Sequence, residues 1–140
     1  MAIKVGINGF GRIGRNIFRA LSKDPAFAEI EIVGINDLTD VKTIAHLVKY
    51  DSVMGRSQQE VVAGENSLVV DGRAVPITSF RKPAEIPWAT LGAEYVLECT
   101  GLFCDMESAK AHIDAGAAKV IISAPAKGEV KTIVMGVNED

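Results

Sequence analysis

A glycine-rich segment near the start of the chain carries its clearest chemical signal. The segment reads Gly-Phe-Gly-Arg-Ile-Gly from Gly9 onward, a G-x-G-x-x-G spacing that follows an apolar run. In this spacing Gly9 permits a tight turn, Gly11 lets the backbone approach a pyrophosphate, and Gly14 lets a helix pack closely on a strand. The N–H groups around Arg12 and Ile13 would point at the phosphates, and the helix dipole would add a favourable field.

An acidic residue supplies the second half of this signal. Asp37 ends the second predicted strand, 23 residues beyond Gly14. A carboxylate there can accept hydrogen bonds from both hydroxyls of an adenosine ribose and would repel a 2′-phosphate, which favours NAD over NADP. The alternative is that the glycines only make a tight turn and Asp37 only caps a loop. Strand, glycine segment, helix and acid occur in one βαβ unit, and this combination favours the dinucleotide site.

Alternating apolar strands and amphipathic helices would position these residues. The first strand opens with Ile3 and ends at Asn8, and a second covers residues 29–37. Further apolar runs predict buried strands at residues 95–97, 120–122 and 133–135. The stripes expected to pack on the sheet are Ile13, Ile17, Ala20 and Leu21 in the first helix, Val41, Ile44, Ala45 and Val48 in the second, and Met106, Ala109 and Ile113 in the third.

Capping and turn residues indicate where the elements begin and end. Asp40 and Asp105 are predicted N-caps, and Gly116 is a predicted helix stop. Asp71-Gly72 lies between β-branched runs, and this pair favours a type I′ hairpin turn. We therefore predict an α/β fold, a doubly wound, mainly parallel Rossmann-type sheet with a small antiparallel hairpin insertion. Residues 1–140 would form one dinucleotide-binding domain.

Composition narrows the classes of partner. The 140 residues include 15 Lys and Arg against 18 Asp and Glu, which gives a net charge of −3. This acidic balance disfavours a general electrostatic interaction with nucleic acid or an anionic membrane. We find no secretory signal and no apolar run of the roughly 18 residues that a membrane helix needs. Cys99 and Cys104 match no zinc spacing, so we expect a reduced, cytoplasmic protein without a metal site.

Several segments together identify a family resemblance. They are Lys4-Val5-Gly6-Ile7-Asn8-Gly9-Phe10-Gly11-Arg12-Ile13-Gly14-Arg15, Ile35-Asn36-Asp37-Leu38, Lys49-Tyr50-Asp51-Ser52, Glu98-Cys99-Thr100-Gly101, Val120-Ile121-Ile122-Ser123-Ala124-Pro125 and Val134-Met135-Gly136-Val137-Asn138. With these segments in the same order, the chain resembles the glyceraldehyde-3-phosphate dehydrogenase family from end to end. Such an ordered set is far more specific than a glycine fingerprint alone.

The resemblance implies NAD as cofactor and roles for individual positions. Arg81 would lie beside the adenine, and Thr100-Gly101 and Ser123 would line the path toward the nicotinamide. The plastid members that use NADP carry Thr-Gly-Gly after the strand-end acid, where this chain has Leu-Thr-Asp, and this departure supports NAD. The implied cofactor site comprises Asn8, Gly9, Gly11, Arg12, Ile13, Gly14, Asn36, Asp37, Arg81, Thr100, Gly101 and Ser123.

The resemblance also implies where the reaction chemistry lies. The nucleophilic cysteine of the family, its general-base histidine and its substrate phosphate sites come after the segment at which this chain ends. We assign no catalytic residue here, because Cys99 is expected to be buried and inert and Cys104 has no histidine near it in sequence. His46 and His112 are expected to be packed or surface side chains. The chain alone is predicted to perform no aldehyde chemistry.

We therefore expect the NAD-binding half of a phosphorylating glyceraldehyde-3-phosphate dehydrogenase, with a catalytic half as partner. An erythrose-4-phosphate dehydrogenase of the same family is the closest alternative, and a non-catalytic module that binds nucleotide, RNA or a partner protein is the second. The family is typically tetrameric, so a homo-oligomer is expected. Self-association could also proceed through a final strand over residues 132–137.

Overall fold

A seven-stranded sheet organises the molecule in the computed structural model, which describes residues 2–140. The strand order is β5-β6-β7-β2-β1-β8-β9, with every pair from β7 to β9 parallel and the β5-β6 and β6-β7 pairs antiparallel. The strands are β1 (Ile3–Asn8), β2 (Ile30–Asn36), β5 (Val61–Ala63), β6 (Ser67–Val70), β7 (Arg73–Thr78), β8 (Tyr95–Glu98) and β9 (Lys119–Ile122), and β3 (Tyr50–Asp51) pairs separately with β4 (Gly55–Arg56). The helices are α1 (Arg12–Lys23), α2 (Val41–Lys49), α3 (Trp88–Leu91) and α4 (Met106–Asp114), with 3₁₀ turns at Pro25–Phe27 and Pro83–Glu85.

The two apolar cores show that this sheet is covered on both faces. The larger core joins Ile7 and Ile35 of the central strands to Phe18 of α1 and Ile44 of α2. The smaller core is centred on Trp88, which packs so closely on β1 that a side chain in place of Gly6 would meet its ring. Cover on both faces, together with the parallel strands, confirms the predicted doubly wound α/β fold.

The antiparallel insertion is larger than a hairpin and is continuous with the main sheet. Asp71 (φ 50°) and Gly72 (φ 80°) connect β6 to β7 in a two-residue turn, as predicted for a type I′ hairpin. The strand β7 then pairs in parallel with β2. The insertion thereby extends the sheet on the β2 side, and the carboxyl end of β7 joins those of β2 and β1.

The predicted caps are present, but only part of the predicted apolar stripe of α1 faces the core, where Leu21 packs against it. The backbone N–H of Thr43 donates to the Asp40 carboxylate (2.9 Å), and that of Ser108 donates to Asp105 (2.8 Å). In α1 the buried residues are Gly14 and Phe18, whereas Ile13 is 52% exposed and Ala20 is also exposed. Gly14 must face the sheet because it packs against the carbonyl of Gly9, and this contact fixes the rotation of the helix.

The stripe of α4 differs from the prediction for a polar reason. Ala109 and His112 are its buried residues, while Met106 is 61% exposed and Ile113 is 39% exposed. The imidazole of His112 lies between two hydrogen-bond partners inside the protein, Trp88 and Glu98. Those bonds orient the helix, and they could not be predicted from the spacing of its apolar residues.

The strand predicted at residues 133–135 does not form. The backbone N–H groups of Val137 and Asn138 both donate to the carbonyl of Val134, which closes a turn. The Asn138 side chain holds the same turn, because it accepts from the Val134 N–H (2.7 Å) and donates to the Thr132 carbonyl (2.8 Å). These local bonds replace a sheet ladder and leave Met135 80% exposed. Residues 120–122 do form a strand, but it is a half-exposed edge strand and not a buried one.

Candidate functional site

A cleft of about 440 Å³ opens at the edge where β1, β2, β7 and β8 end. The chain passes from β1 to β2 on one side and later returns to β8 on the other, so the strand order reverses between β1 and β8. In open α/β sheets this reversal is where ligands bind. The cleft is lined by Asn8, Gly9, Gly11, Asn36, Asp37, Leu38, Phe80, Arg81, Cys99, Thr100, Leu102 and Phe103.

The three glycines of the fingerprint have different surroundings. Gly9 has a φ of 91°, and a side chain there would collide with the backbone of Cys99 and Thr100. A side chain at Gly14 would collide with the Gly9 carbonyl. At Gly11, by contrast, a Cβ atom would meet nothing within 4 Å. The fold therefore requires Gly9 and Gly14, whereas Gly11 leaves space open beside the cleft.

The first turn of α1 offers unpaired hydrogen-bond donors next to that space. Gly11 is the N-cap residue and provides no side-chain cap, and its carbonyl accepts from the N–H of Arg15 (2.9 Å). Within residues 2–140, the N–H groups of Arg12 and Ile13 have no hydrogen-bond acceptor. Free N–H groups at the positive end of a 12-residue helix suit an anion such as a phosphate.

Asp37 lies at the β2 side of the cleft and is already held in place. Its Oδ2 accepts from the N–H of Phe10 (2.7 Å) and its Oδ1 from the N–H of Thr39 (2.8 Å). Its own N–H donates to the carbonyl of Thr78 (3.0 Å). Each oxygen of a carboxylate can accept two hydrogen bonds, so Asp37 can still accept bonds from a ligand.

Two buried asparagines connect the ends of β2 and β1. The Asn36 Nδ2 donates to the Asn8 Oδ1 (2.9 Å), and its Oδ1 accepts from the Thr78 Oγ1 (2.8 Å) and the Phe80 N–H (2.9 Å). Asn8 in turn donates through its Nδ2 to Oε1 of Glu98 at the end of β8 (2.6 Å). The chain of bonds fixes the relative positions of the four strand ends that form the cleft floor.

Glu98 receives hydrogen bonds from several neutral groups. Oε1 accepts from Asn8 and from His112 Nε2 (2.9 Å), and Oε2 accepts from the N–H (2.9 Å) and the hydroxyl (2.6 Å) of Thr100. Burial raises the pKa of Glu98, but the bonds from His112, Thr100 and Asn8 outweigh it and leave the pKa below its usual 4.5. Glu98 is therefore an ionised carboxylate inside the protein.

The hydrogen bonds of His112 fix its protonation. Trp88 Nε1 donates to His112 Nδ1 (2.9 Å), and an indole N–H can only donate. Nδ1 must therefore be an acceptor, and the ring proton lies on Nε2, where it points to Glu98. His112 is a neutral imidazole, and its contact with Glu98 is not an ion pair.

The predicted site residues fall into two groups. Those that line the cleft are Asn8, Gly9, Gly11, Asn36, Asp37, Arg81 and Thr100. Arg12, Ile13 and Gly14 belong to the first turn of α1 beside it, Gly101 follows Thr100, and Ser123 follows β9.

Ser123 lies against the thiol of Cys99, which is itself part of the cleft wall. Burial raises the pKa of the Cys99 thiol, the contact with Ser123 opposes this, and the charge of Glu98 raises the pKa further. Cys99 is therefore a neutral thiol at pH 7, as expected of an inert cysteine.

Sequence reasoning missed the buried polar group of Glu98, His112 and Trp88. His112 follows Ala109 by three residues, so both share one helix face, and this spacing was an available signal. It also missed the apolar walls of the cleft formed by Leu38, Phe80, Leu102 and Phe103.

Across residues 2–140, the structure contains no helix that is long and apolar enough to cross a membrane. The same residues contain no group of three or more His, Cys, Asp or Glu that is placed to bind a metal ion.

The parallel sheet, the glycine turn and the strand-end acid define a dinucleotide-binding domain of the Rossmann type. Residues 3–106 match the sequence model of the glyceraldehyde 3-phosphate dehydrogenase NAD binding domain. The chain belongs to this family, and NAD is the cofactor of the domain.

Similar proteins share the whole length of the chain. Over 140 residues it is 56% identical to glyceraldehyde-3-phosphate dehydrogenase of Geobacillus stearothermophilus and 56% identical to that of Streptomyces coelicolor. It is 54% identical to glyceraldehyde-3-phosphate dehydrogenase 1 of Bacillus subtilis. In each case all of this chain is covered, and it spans 41% of the length of the relative.

Proposed function

We propose that NAD lies across the cleft with its pyrophosphate on the first turn of α1 and its adenosine ribose on Asp37. This proposal rests on two features that occur together at the site. The N–H groups of Arg12 and Ile13 have no acceptor among the described residues, and the Asp37 carboxylate can still accept hydrogen bonds. Gly11, where a Cβ atom would meet nothing within 4 Å, lines the same cleft as Asp37. A 2′-phosphate would meet the Asp37 charge, so NAD is favoured over NADP.

The remaining predicted residues take positions along the same cofactor. Arg81 would lie beside the adenine, on the β2 side of the cleft. Thr100, Gly101 and Ser123 would line the nicotinamide side, next to β8 and β9. Asn8 and Asn36 would hold the cleft floor beneath it through their mutual hydrogen bond. On this proposal, residues 1–140 act as one dinucleotide-binding domain.

We further propose that the complete protein is an NAD-dependent, phosphorylating glyceraldehyde-3-phosphate dehydrogenase. The names of its relatives support this, as does a cleft that would hold a nicotinamide ring in a fixed orientation. Cys99 and His112 do not form a nucleophile and base pair, because Cys99 is a neutral thiol and His112 is hydrogen-bonded to Trp88 and Glu98. This chain alone would therefore not turn over an aldehyde, and its partners would be a catalytic half and further copies in a homo-oligomer.

A calorimetric titration with NAD and NADP tests the cofactor proposal. We expect a Kd for NAD of roughly 10 μM to 1 mM, about −7 to −4 kcal/mol, and weaker binding of NADP. Asp37→Ala should weaken the binding of NAD and reduce the difference in affinity between NAD and NADP. Asp40→Ala is the matched control, because Asp40 is an exposed aspartate that caps α2 and is not among the residues lining the cleft. Equal binding of both cofactors, or an equal loss in both variants, would contradict the assignment of Asp37.

A further inference from the structure

Glu98 places an uncompensated negative charge directly behind the cleft wall. The carboxylate is 1% exposed, and all the groups bonded to it are donors, so it has no room for a proton of its own. The donors are an amide, a hydroxyl, a backbone N–H and the imidazole of His112. Because His112 is neutral, none of these donors carries a positive charge.

The described residues place no cation against this charge. Within the described range 2–140, no lysine or arginine lies within ion-pair distance of Glu98, and the one histidine that contacts it, His112, is neutral. A buried charge held by neutral dipoles keeps its long-range field, because the low-dielectric interior screens it weakly. The raised pKa of Cys99, to which Glu98 contributes after burial, is an effect of that field on a residue of the cleft.

The topology places Glu98 on one particular side of the proposed cofactor. Asp37 follows β2, and it would hold the adenosine half there. The dinucleotide crosses the point where strand order reverses, so its other half must lie over β8. Glu98 is the last residue of β8, and it is bonded to Thr100, which lines the cleft at that end. The nicotinamide ring is the only part of NAD⁺ that carries a positive charge in its oxidised form and none in its reduced form.

We propose that Glu98 is a specificity-determining residue that favours a positively charged nicotinamide ring over a neutral one. The proposal rests on the assignment of the cleft as the NAD site. Glu98 makes no contact with the ring on this account and acts through its charge. Because the cleft is open to water, which screens the interaction in part, we expect an effect of about threefold to tenfold on relative affinity.

The test compares NAD⁺ with benzamide adenine dinucleotide, in which a neutral benzamide ring replaces the charged nicotinamide ring. Calorimetry on the unmodified protein should give a tighter Kd for NAD⁺, by about threefold to tenfold. Glu98→Gln should bring this ratio close to one, whereas Glu98→Asp keeps the charge and should keep the preference. Asp37→Ala is the matched carboxylate control, and it should weaken both ligands by the same factor. General structural damage would likewise weaken both ligands and leave the ratio unchanged.

Each outcome decides the proposal. Equal affinity for the two ligands in the unmodified protein, or an unchanged ratio in Glu98→Gln, would overturn the role of Glu98 while leaving the NAD site intact. If Glu98→Gln does not fold, the unmodified protein and Glu98→Asp still decide, because loss of the preference in Glu98→Asp would also overturn the proposal. If the unmodified protein binds neither ligand, the proposed cofactor site fails and the role of Glu98 fails with it.

Discussion

Asp37 and Glu98 lie at the ends of the two strands that flank β1, yet their surroundings differ completely. Asp37 follows the last residue of β2, lines the cleft and accepts two backbone hydrogen bonds from the described residues. Glu98 is itself the last residue of β8, is fully buried and accepts bonds from Asn8, His112 and Thr100. A shift of one residue relative to the strand end turns the side chain from the cleft toward the core.

The difference separates two ways in which a carboxylate can serve a binding site. Asp37 has lone pairs left over, so it can recognise a ligand by direct contact. Glu98 has its oxygens occupied, so it can act only through its charge and through the groups it holds. We therefore expect changes at Asp37 to alter ligand binding first, and changes at Glu98 to alter the fold first.

The largest effect we expect is on stability, from Glu98→Gln. The NH₂ group of the new amide would face either the N–H and hydroxyl of Thr100 or the donors of Asn8 and His112. In both orientations two buried hydrogen-bond donors would face each other without an acceptor. Such a loss costs about 3 kcal/mol of the free energy of unfolding. Urea unfolding at pH 7 measures it, and Asp37→Asn, expected to cost under about 1 kcal/mol, is the matched control. An equal cost at the two positions would show that the buried network is not special.

The second effect separates two glycines of one fingerprint. Gly14→Ala places a methyl group against the Gly9 carbonyl, so α1 must shift, at a cost of about 1–3 kcal/mol. Gly11→Ala meets no neighbouring atom and should leave stability unchanged while it weakens NAD binding. Thermal unfolding and calorimetry on both variants measure the two quantities. A loss of stability in Gly11→Ala would show that this glycine, too, is required by the fold.

The sequence predicted those parts of the fold that local chemistry determines. Asp40 and Asp105 act through bonds to the residues three positions further on, the Asp71-Gly72 turn acts through its two positive φ angles, and each stands where it was expected. The parallel order of the strands followed from apolar runs separated by helices. The length of the insertion did not follow, because the pairing of β7 with β2 joins residues more than forty positions apart.

The errors came from contacts between distant residues or from competing local bonds. The rotation of α1 depends on Gly14 meeting Gly9, and that of α4 depends on His112 meeting Trp88 and Glu98. The spacing of apolar residues in the sequence indicates neither of these contacts. Residues 133–135 have the composition of a strand, but the Asn138 side chain accepts from the Val134 N–H and donates to the Thr132 carbonyl, and these bonds hold a turn. The fingerprint indicated Gly9, Gly11 and Asp37, and the family resemblance added the other predicted residues of the cleft, Asn8, Asn36, Arg81 and Thr100. The buried hydrogen-bond network behind the cleft had no motif to reveal it.

The third effect concerns the choice between NAD and NADP at the half-buried Asp37 carboxylate. Asp37→Asn removes the charge and keeps a side-chain oxygen that can still accept one of the two backbone bonds. We expect the preference for NAD over NADP to narrow by about tenfold, close to 1.4 kcal/mol, with the fold retained. Competition of NAD and NADP in one calorimetric cell measures the ratio directly. If Glu98→Asp reduced the preference for NAD over NADP by the same factor, this would contradict the division of roles between the two carboxylates.

The smallest effect concerns pH, because burial and hydrogen bonding act on the Glu98 pKa in opposite directions. The net pKa in the folded protein is below the usual 4.5, so the stabilisation from Glu98 is complete above about pH 4.5. It is lost as the pH falls through the lowered value, because the unfolded chain then binds a proton more readily than the folded one. Urea unfolding between pH 7 and pH 3 should therefore show a steeper acid loss in the unmodified protein than in Glu98→Gln. Three aspartates whose pKa values are lowered by hydrogen bonds titrate in both proteins, so their contributions cancel in the comparison; these are Asp40, Asp51 and Asp105. Parallel curves would mean that Glu98 has the same pKa in the folded and the unfolded chain, and that its hydrogen bonds do no more than offset its burial.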